Sequence, residues 1–355
     1  IRRGKMNNFK TQTMEKVQTF YNAMPFNFTD SVKTASKKIL RQNAIQAYPN
    51  LHEILRKTKE TDTVLDIGCG AGWFPNTLAC HYQLQCVAVD FSETAVGRAR
   101  EIAAALEVED KLSFNVCDLF TEDFESSFFL VNSIGVLHHT HDCQAALVRI
   151  SEFVRSGGYI HIALYHSYGR KPFLDYFSAE RKRFFSGDEE SQKEAEKKAL
   201  EKYKELNSHI KDETLLLSWC RDQVFHPHET QHTLKEACEW LWDLDFSVIS
   251  TSMNGFGPVK SWDALFEDEK NKESLSYQLN VIKKKYYPGF FSVLAQKNSC
   301  ENSSCGKTQA LNSIDMNFIT SIKHKLFPVL NPVENDGWVQ KELNNKKIED
   351  LRKPY

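Results

Sequence analysis

Apolar positions recur at two different periods along this chain, and the change of period divides it. From 15 to 57 they fall at helical spacing, interrupted at Pro25 and Pro49, which predicts a helical cover over 1–60. From 63 the texture turns into short β-rich runs: "TVLDIG" (63–68), "CVAVD" (86–90), "LSFNV" (112–116), "FFLVNSIGV" (128–136) and "YIHIAL" (159–164). Amphipathic stretches lie between them, such as "SETAVGRAREIAAALEV" (92–108) and "DCQAALVRISEFVR" (142–155). Strands alternating with helices predict an α/β, doubly wound fold whose mainly parallel sheet is covered on both faces.

The rhythm stops over 165–232, where "DEESQKEAEKKALEKYKEL" reads as an exposed helix inserted above the sheet. It resumes with "TLKEACEWLWDL" (233–244) as a helix and "FSVIST" (246–251) as a strand, and "GFFSVLAQ" (289–296) is a seventh and last strand. Two late strands with no helix of crossover type between them predict an antiparallel pair at one edge. The organisation expected is a core over 61–164, a helical lid over 165–232, a return to the core over 233–297, and a polar linker and tail over 298–355.

Composition narrows the class without deciding it. Apolar residues make up 41% and charged residues 26% of 355, and the formal net charge is −2. A nucleic-acid partner is therefore not favoured on charge, and the "RKR" (181–183) and "KKK" (283–285) clusters read first as solvated helix faces. Nine cysteines without a C-x-x-C argue for reduced thiols and a cytoplasmic setting. No apolar run reaches membrane-spanning length, so no membrane partner is expected.

The chemistry concentrates in "VLDIGCGAGW" (64–73). A strand ends at Asp66-Ile67, and Gly68, Gly70 and Gly72, with Cys69 between, form a loop that opens a helix. Glycines there let the backbone turn tightly and approach a ligand. Twenty residues beyond Gly70 the second strand ends in Asp90, followed by Phe91, and that carboxylate is placed to accept hydrogen bonds from a ribose diol. Trp73 stands where a dinucleotide fingerprint needs its third glycine. A carboxylate at Asp66 would repel phosphate but suits a cationic ligand that carries an amino acid. These features favour S-adenosylmethionine over NAD.

Here the sequence resembles the class I S-adenosylmethionine-dependent methyltransferases, with their Rossmann-like fold. "NVCDLF" puts Asp118-Leu119 after the third strand, where that family contacts adenine. "NSIGVLHHTHD" is similar to its fourth motif, which would set Asn132 under the methionine moiety. "ISEFVRSGGYIHIALYH" is similar to its helix, its turn (Gly157-Gly158) and its fifth strand. "FYNAMPFNF", "GVLHHT", "LYHSYGR" and "DQVFHPHETQHTLKEACEWL" also resemble a bacterial group of these enzymes, with "FNF" where the group has F-P-N-Y. The resemblance implies a methyltransferase that uses S-adenosylmethionine on a small-molecule acceptor. An RNA (tRNA) methyltransferase and a non-catalytic cofactor-binding protein are the alternatives.

"HETQH" (228–232) matches the H-E-x-x-H of zinc peptidases, which needs both histidines inside one helix. Thr233 and Glu236 form a capping box, so the helix starts near Thr233 and His228 and His232 fall in the loop before it. Adjacent His138 and His139 rarely converge on one ion, and no metal is expected. The acceptor side would draw on His138, His139, Tyr165 and Arg170 as catalytic candidates. His138 and His139 either remove a proton from the acceptor or shape the wall. Arg170 either pairs with an acceptor anion or forms a helix-end salt bridge. Tyr21, His166, Tyr168, His226 and His228 are substrate-binding candidates, although His226 and His228 would equally serve as backbone-bonded loop residues.

Overall fold

The computed structural model describes residues 14–29, 31–124 and 127–299. Seven strands form one sheet: β1 (Thr63–Ile67), β2 (Gln85–Asp90), β3 (Leu112–Val116), β4 (Phe128–Ile134), β5 (Val154–Tyr165), β6 (Phe246–Thr251) and β7 (Phe290–Lys297). Their order is β3-β2-β1-β4-β5-β7-β6. β3 to β5 run parallel, and β7 is antiparallel to both of its neighbours. The expected antiparallel pair therefore exists, with β7 inserted between β5 and β6.

Parallel strands are covered on both faces, so successive side chains go to opposite cores. Val64 and Leu130 enter one core, with Leu78 of α4 (Trp73–Tyr82) and Ile102 of α5 (Glu93–Leu106). Leu65 and Val131 enter the other, with Leu147 of α6 (Cys143–Glu152) and Leu241 of α11 (Leu234–Asp243). Local sequence fixes the helix starts. Ser92 and Asp142 cap α5 and α6, and Thr233 with Glu236 makes the full reciprocal capping box of α11.

Two elements differ from expectation. Gly157-Gly158 does not end a helix-strand turn; it lies inside β5. The register jumps from Phe128↔Val154 to Leu130↔Tyr159, and Gly157 absorbs the extra residues at φ +70°. The insertion is also more than one exposed helix. It comprises α7 (Ser167–Tyr176), α8 (Ser178–Ser186), α9 (Glu189–Leu206) and α10 (Glu213–Phe225), packed around Phe173, Tyr203, Trp219 and Phe225. α9 buries only Ala195, Ala199, Tyr203 and Leu206, one stripe at helical spacing. No helix among the described residues is long and apolar enough to cross a membrane. The tail expected beyond 299 lies outside the described residues.

Candidate functional site

β1, β2 and β4 end along one edge of the sheet, and there the chain turns through residues that only glycine holds without strain. Gly68, Gly70 and Gly72 have φ of +73°, +53° and +80°. A Cβ on Gly68 would stand 2.2 Å from Val136 Cγ2, whereas one on Gly70 would have nothing within 4 Å. The Gly68 and Cys69 amides donate to the Val89 carbonyl, and the Gly70 amide donates to Asp90 Oδ2 at 2.9 Å. Asp90 Oδ1 accepts from the Ser92 amide, also at 2.9 Å. The carboxylate is thus clamped across the loop with lone pairs to spare. Burial nonetheless raises its pKa.

Above this loop opens a cavity of about 1190 Å³, counting its mouth. Of the residues expected to hold a cofactor, Gly68, Cys69, Gly70, Asp90, Phe91, Asp118 and Leu119 line it. Gly72, Asp66 and Asn132 stand behind the wall. Gly72 caps α4 and lies tight against Ala99. Asp66 is 3% exposed; its Oδ1 accepts from Asn132 Nδ2 at 2.7 Å, and its Oδ2 has no partner among the described residues. Asn132 Oδ1 in turn bonds the His161 ring at 2.9 Å. Burial pushes the Asp66 carboxyl up to about 7, opposed by the Asn132 bond and helped by the nearby Asp90 charge.

The other end of the cavity is built from three distant segments. Tyr21 comes from α1 (described over 14–23), His139 and Tyr165 from the ends of β4 and β5, and Asp222 and Gln223 from α10. Tyr21 donates its hydroxyl to Asp222 Oδ1 at 2.6 Å, and Gln223 Nε2 donates to Asp222 Oδ2 at 3.0 Å. His139 Nδ1 meets the His228 carbonyl at 2.9 Å. Burial lowers the His139 pKa against the pull of Asp222, so the ring stays neutral and its second nitrogen keeps a lone pair.

Several acceptor-side candidates are spent on the fold itself. Arg170 is fully buried, and all five of its N–H groups are engaged. It donates to both Glu229 oxygens at 3.1 and 2.7 Å, to Gln223 Oε1 at 3.1 Å, to the Gln223 carbonyl at 2.6 Å and to the Pro288 carbonyl at 3.4 Å. No donor remains for an acceptor anion. The alternative of a salt bridge is what forms, though it is buried rather than at a helix end. His166 is likewise enclosed: Nδ1 accepts from the Gly169 amide and Nε2 meets Glu269 at 3.0 Å. Tyr168 packs on His166, off the cavity wall. His138 lies under Tyr165, with Nδ1 accepting from the Tyr165 amide at 3.3 Å. His228 Nε2 meets the Thr140 carbonyl at 3.0 Å. His226 lies against His139 with ring centroids 3.6 Å apart and the planes tilted by 30°.

The "HETQH" match dissolves on inspection of its partners. His228 and His232 precede α11, Glu229 pairs with Arg170, and His232 Nε2 bonds Thr230 at 2.8 Å. A different trio converges instead. One ligating atom each of His139, Asp222 and His226 lies within 4.8 Å of the others, all buried. His226 is poorly set to ligate, because its Nδ1 accepts the His228 amide at 3.1 Å. That bond requires the ring proton on Nε2, the atom a metal would need. Sequence reasoning missed Asp222 and Gln223, although "DQVFHPHE" had singled out their stretch.

A family model described as a methyltransferase domain matches residues 58–238. Over 103 residues the chain is 32% identical to ajmaline N-methyltransferase of Rauvolfia serpentina, a stretch covering 29% of this chain and 35% of that protein. It is 31% identical over 103 residues to the chloroplastic tocopherol O-methyltransferase of Arabidopsis thaliana, covering 29% and 30%. The chain therefore spans about a third of the length of these relatives. Among solved structures, magnesium protoporphyrin IX methyltransferase from Synechocystis PCC 6803, with bound SAH, aligns over 84% of this chain and 100% of its own. The identity is 14% and the TM-score 0.43.

Proposed function

Because the chain belongs to the methyltransferase-domain family, we propose that it transfers a methyl group from S-adenosylmethionine to a small-molecule acceptor. One observation carries the reading. A glycine loop, the Asp90 carboxylate and Asp118-Leu119 line one end of a cavity whose other end holds His139, Tyr165 and Asp222.

The residues present fit the cofactor. Gly70 leaves open space for a ligand, and Asp90 retains acceptor capacity for a ribose diol. Asp66 stands behind the wall with its Oδ2 unpartnered among the described residues, so it acts on a bound cation through space rather than by contact. When bound, S-adenosylmethionine supplies a methyl carbon on a sulfonium sulfur, and the carbon–sulfur bond breaks with its electron pair remaining on sulfur. The chain's own work is positioning, exclusion of water and proton handling. Asp118 and Leu119 would flank the adenine, and Tyr21 and Phe26 close the cavity from the N-terminal side. His139, neutral and held by the His228 carbonyl, receives a proton at its free nitrogen, and Asp222 steadies the resulting cation.

The wall favours acceptors that are not anions. Arg170 is neutralised by Glu229, which leaves Asp222 uncompensated, and Met14, Val17, Pro25, Phe26 and Phe290 give the rest an apolar lining. Of the inserted helices α10 serves as the lid, reaching the cavity through Asp222 and Gln223. The described cysteines are all free thiols, which supports a reducing, cytoplasmic setting.

Calorimetric titration with S-adenosylmethionine, S-adenosylhomocysteine and NAD, on the native chain and on Asp90→Ala, tests this function. Binding of the first two, weakened in the variant, is expected. Binding of NAD alone would overturn it.

A further inference from the structure

We propose that the acceptor is an amine, which enters as its ammonium and is recognised by the Asp222 carboxylate. The inference rests on the methyltransferase reading and narrows it to N-methylation.

Charge on the cavity wall is one-sided. The lining carries three carboxylates, Asp90, Asp118 and Asp222, and among the described residues no lysine or arginine. Asp90 and Asp118 belong to the cofactor end, which leaves Asp222 for the acceptor. It is 5% exposed. Tyr21 donates to its Oδ1 at 2.6 Å, a charge-assisted length that marks an ionised carboxylate. Gln223 Nε2 and the Tyr165 hydroxyl donate to Oδ2 at 3.0 and 3.5 Å. All three partners are neutral. The Arg170 guanidinium, 3.8 Å over the Tyr165 ring, supplies no net counter-charge: Glu229 holds it at 2.7 Å and acts on the Asp222 pKa in the opposite direction. Burial is the largest influence on that pKa and raises it. A buried charge without a counter-ion is destabilising, and a ligand that brings one relieves it.

This wall discriminates among acceptors. A carboxylate or phosphate would meet Asp222 as a like charge, and a hydroxyl would leave that charge uncompensated. An ammonium pairs with it and donates to its spare lone pairs. Aromatic rings also attract a cation, and Tyr21, Phe26 and Phe290 line the same cavity. An ammonium has no lone pair for attack, so one proton must leave first. It passes to the free nitrogen of His139, a ring kept neutral by burial. The pair thus freed on the amine nitrogen forms the bond to the methyl carbon, and the carbon–sulfur bond breaks with its pair remaining on sulfur. Charge balances: ammonium and sulfonium become methylated ammonium and imidazolium. Atoms of His139 and Asp222 lie within 4.8 Å of each other, so one carboxylate serves both product cations.

The test compares probes of one shape and three charges. Benzylamine, benzyl alcohol and benzoate are titrated into the intact chain by ligand-observed NMR at neutral pH, with and without saturating S-adenosylhomocysteine. Benzylamine, an ammonium under these conditions, should bind about tenfold tighter than benzyl alcohol or better, and benzoate should bind least. Asp222→Asn keeps an oxygen for Tyr21 and should abolish that preference, by weakening the amine and not the alcohol. Asp222→Glu, which restores the charge, should recover part of it. The ranking on native protein needs no variant, so a misfolded Asp222→Asn leaves the test intact. Equal binding of amine and alcohol, no binding of any probe, or an amine preference that survives Asp222→Asn would each overturn the proposal. An amine preference that depends on Asp222, in a protein that fails to bind S-adenosylhomocysteine, would sink the methyltransferase reading and leave the cation site standing. Binding of S-adenosylhomocysteine without the preference would do the reverse.

Discussion

Asp66→Asn separates what the buried carboxylate costs the fold from what it contributes to the ligand. Burial raises the Asp66 pKa from 3.8 to about 7. The folded state therefore holds this proton more tightly than the unfolded chain, and stability falls as pH rises between the two values. The full effect is about 3 pKa units at 1.36 kcal/mol each, or roughly 4 kcal/mol. Between pH 5 and pH 8 this group accounts for about 2–3 kcal/mol of lost stability. Asparagine keeps an oxygen for Asn132 Nδ2 and carries no charge, so that slope should vanish. The assay is urea unfolding of native and variant protein at pH 5, 6, 7 and 8. The native chain should lose stability relative to Asp66→Asn across the series, with the variant more stable at pH 8. S-adenosylmethionine should reverse the balance: its cation lowers the Asp66 pKa, so binding at pH 6 should release a proton in native protein only. Parallel pH dependences in the two proteins would refute the buried-carboxylate argument.

Three other outcomes follow from the geometry. Gly68→Ala sets a Cβ 2.2 Å from Val136 Cγ2 at φ +73°; it should cost about 1–3 kcal/mol by thermal unfolding and weaken S-adenosylmethionine in calorimetry. Glu229→Gln strips Arg170 of the one carboxylate it is paired with among the described residues, in a pair 0% and 5% exposed. It should destabilise the chain by about 3–5 kcal/mol in denaturant titration, far more than loss of an exposed pair. Metal analysis of purified protein should find less than one zinc per chain, and dialysis against a chelator should leave the melting temperature unchanged; a stoichiometric ion would contradict the His226 tautomer.

Much of this was legible because it is local. Strand runs such as "LSFNV" and the Thr233–Glu236 capping box depend on neighbours a few residues away, and the structure has them where periodicity puts them. The glycine loop and Asp90 are likewise set by one strand-turn-helix unit and the strand beside it. What stayed hidden depends on long-range company. Arg170 reads as a free cation until Gln223 and Glu229, 53 and 59 residues on, and Pro288 take up its donors. Asp222 carries no local mark at all; it gains meaning only because α10 returns to face Tyr21 and His139. His138 and His139 are adjacent in sequence and their rings touch, centroids 4.2 Å apart, yet only the second lines the cavity, because His138 is packed beneath Tyr165.

The position of β7 governs how this chain can be made. Among the described strands β6 pairs only with β7, and β7 is the strand that closes the open edge of β5. Until residues 290–297 leave the ribosome, β6 has no place in the sheet. β5 meanwhile presents Ile160, Ile162 and Leu164, all wholly buried in the finished fold, along an unpaired edge. Such an edge is a template for misassembly. The nascent domain therefore passes through a sticky, incomplete stage whose end is set by translation of β7. Truncations that stop short of residue 290 should be recovered as aggregates rather than as smaller folded proteins.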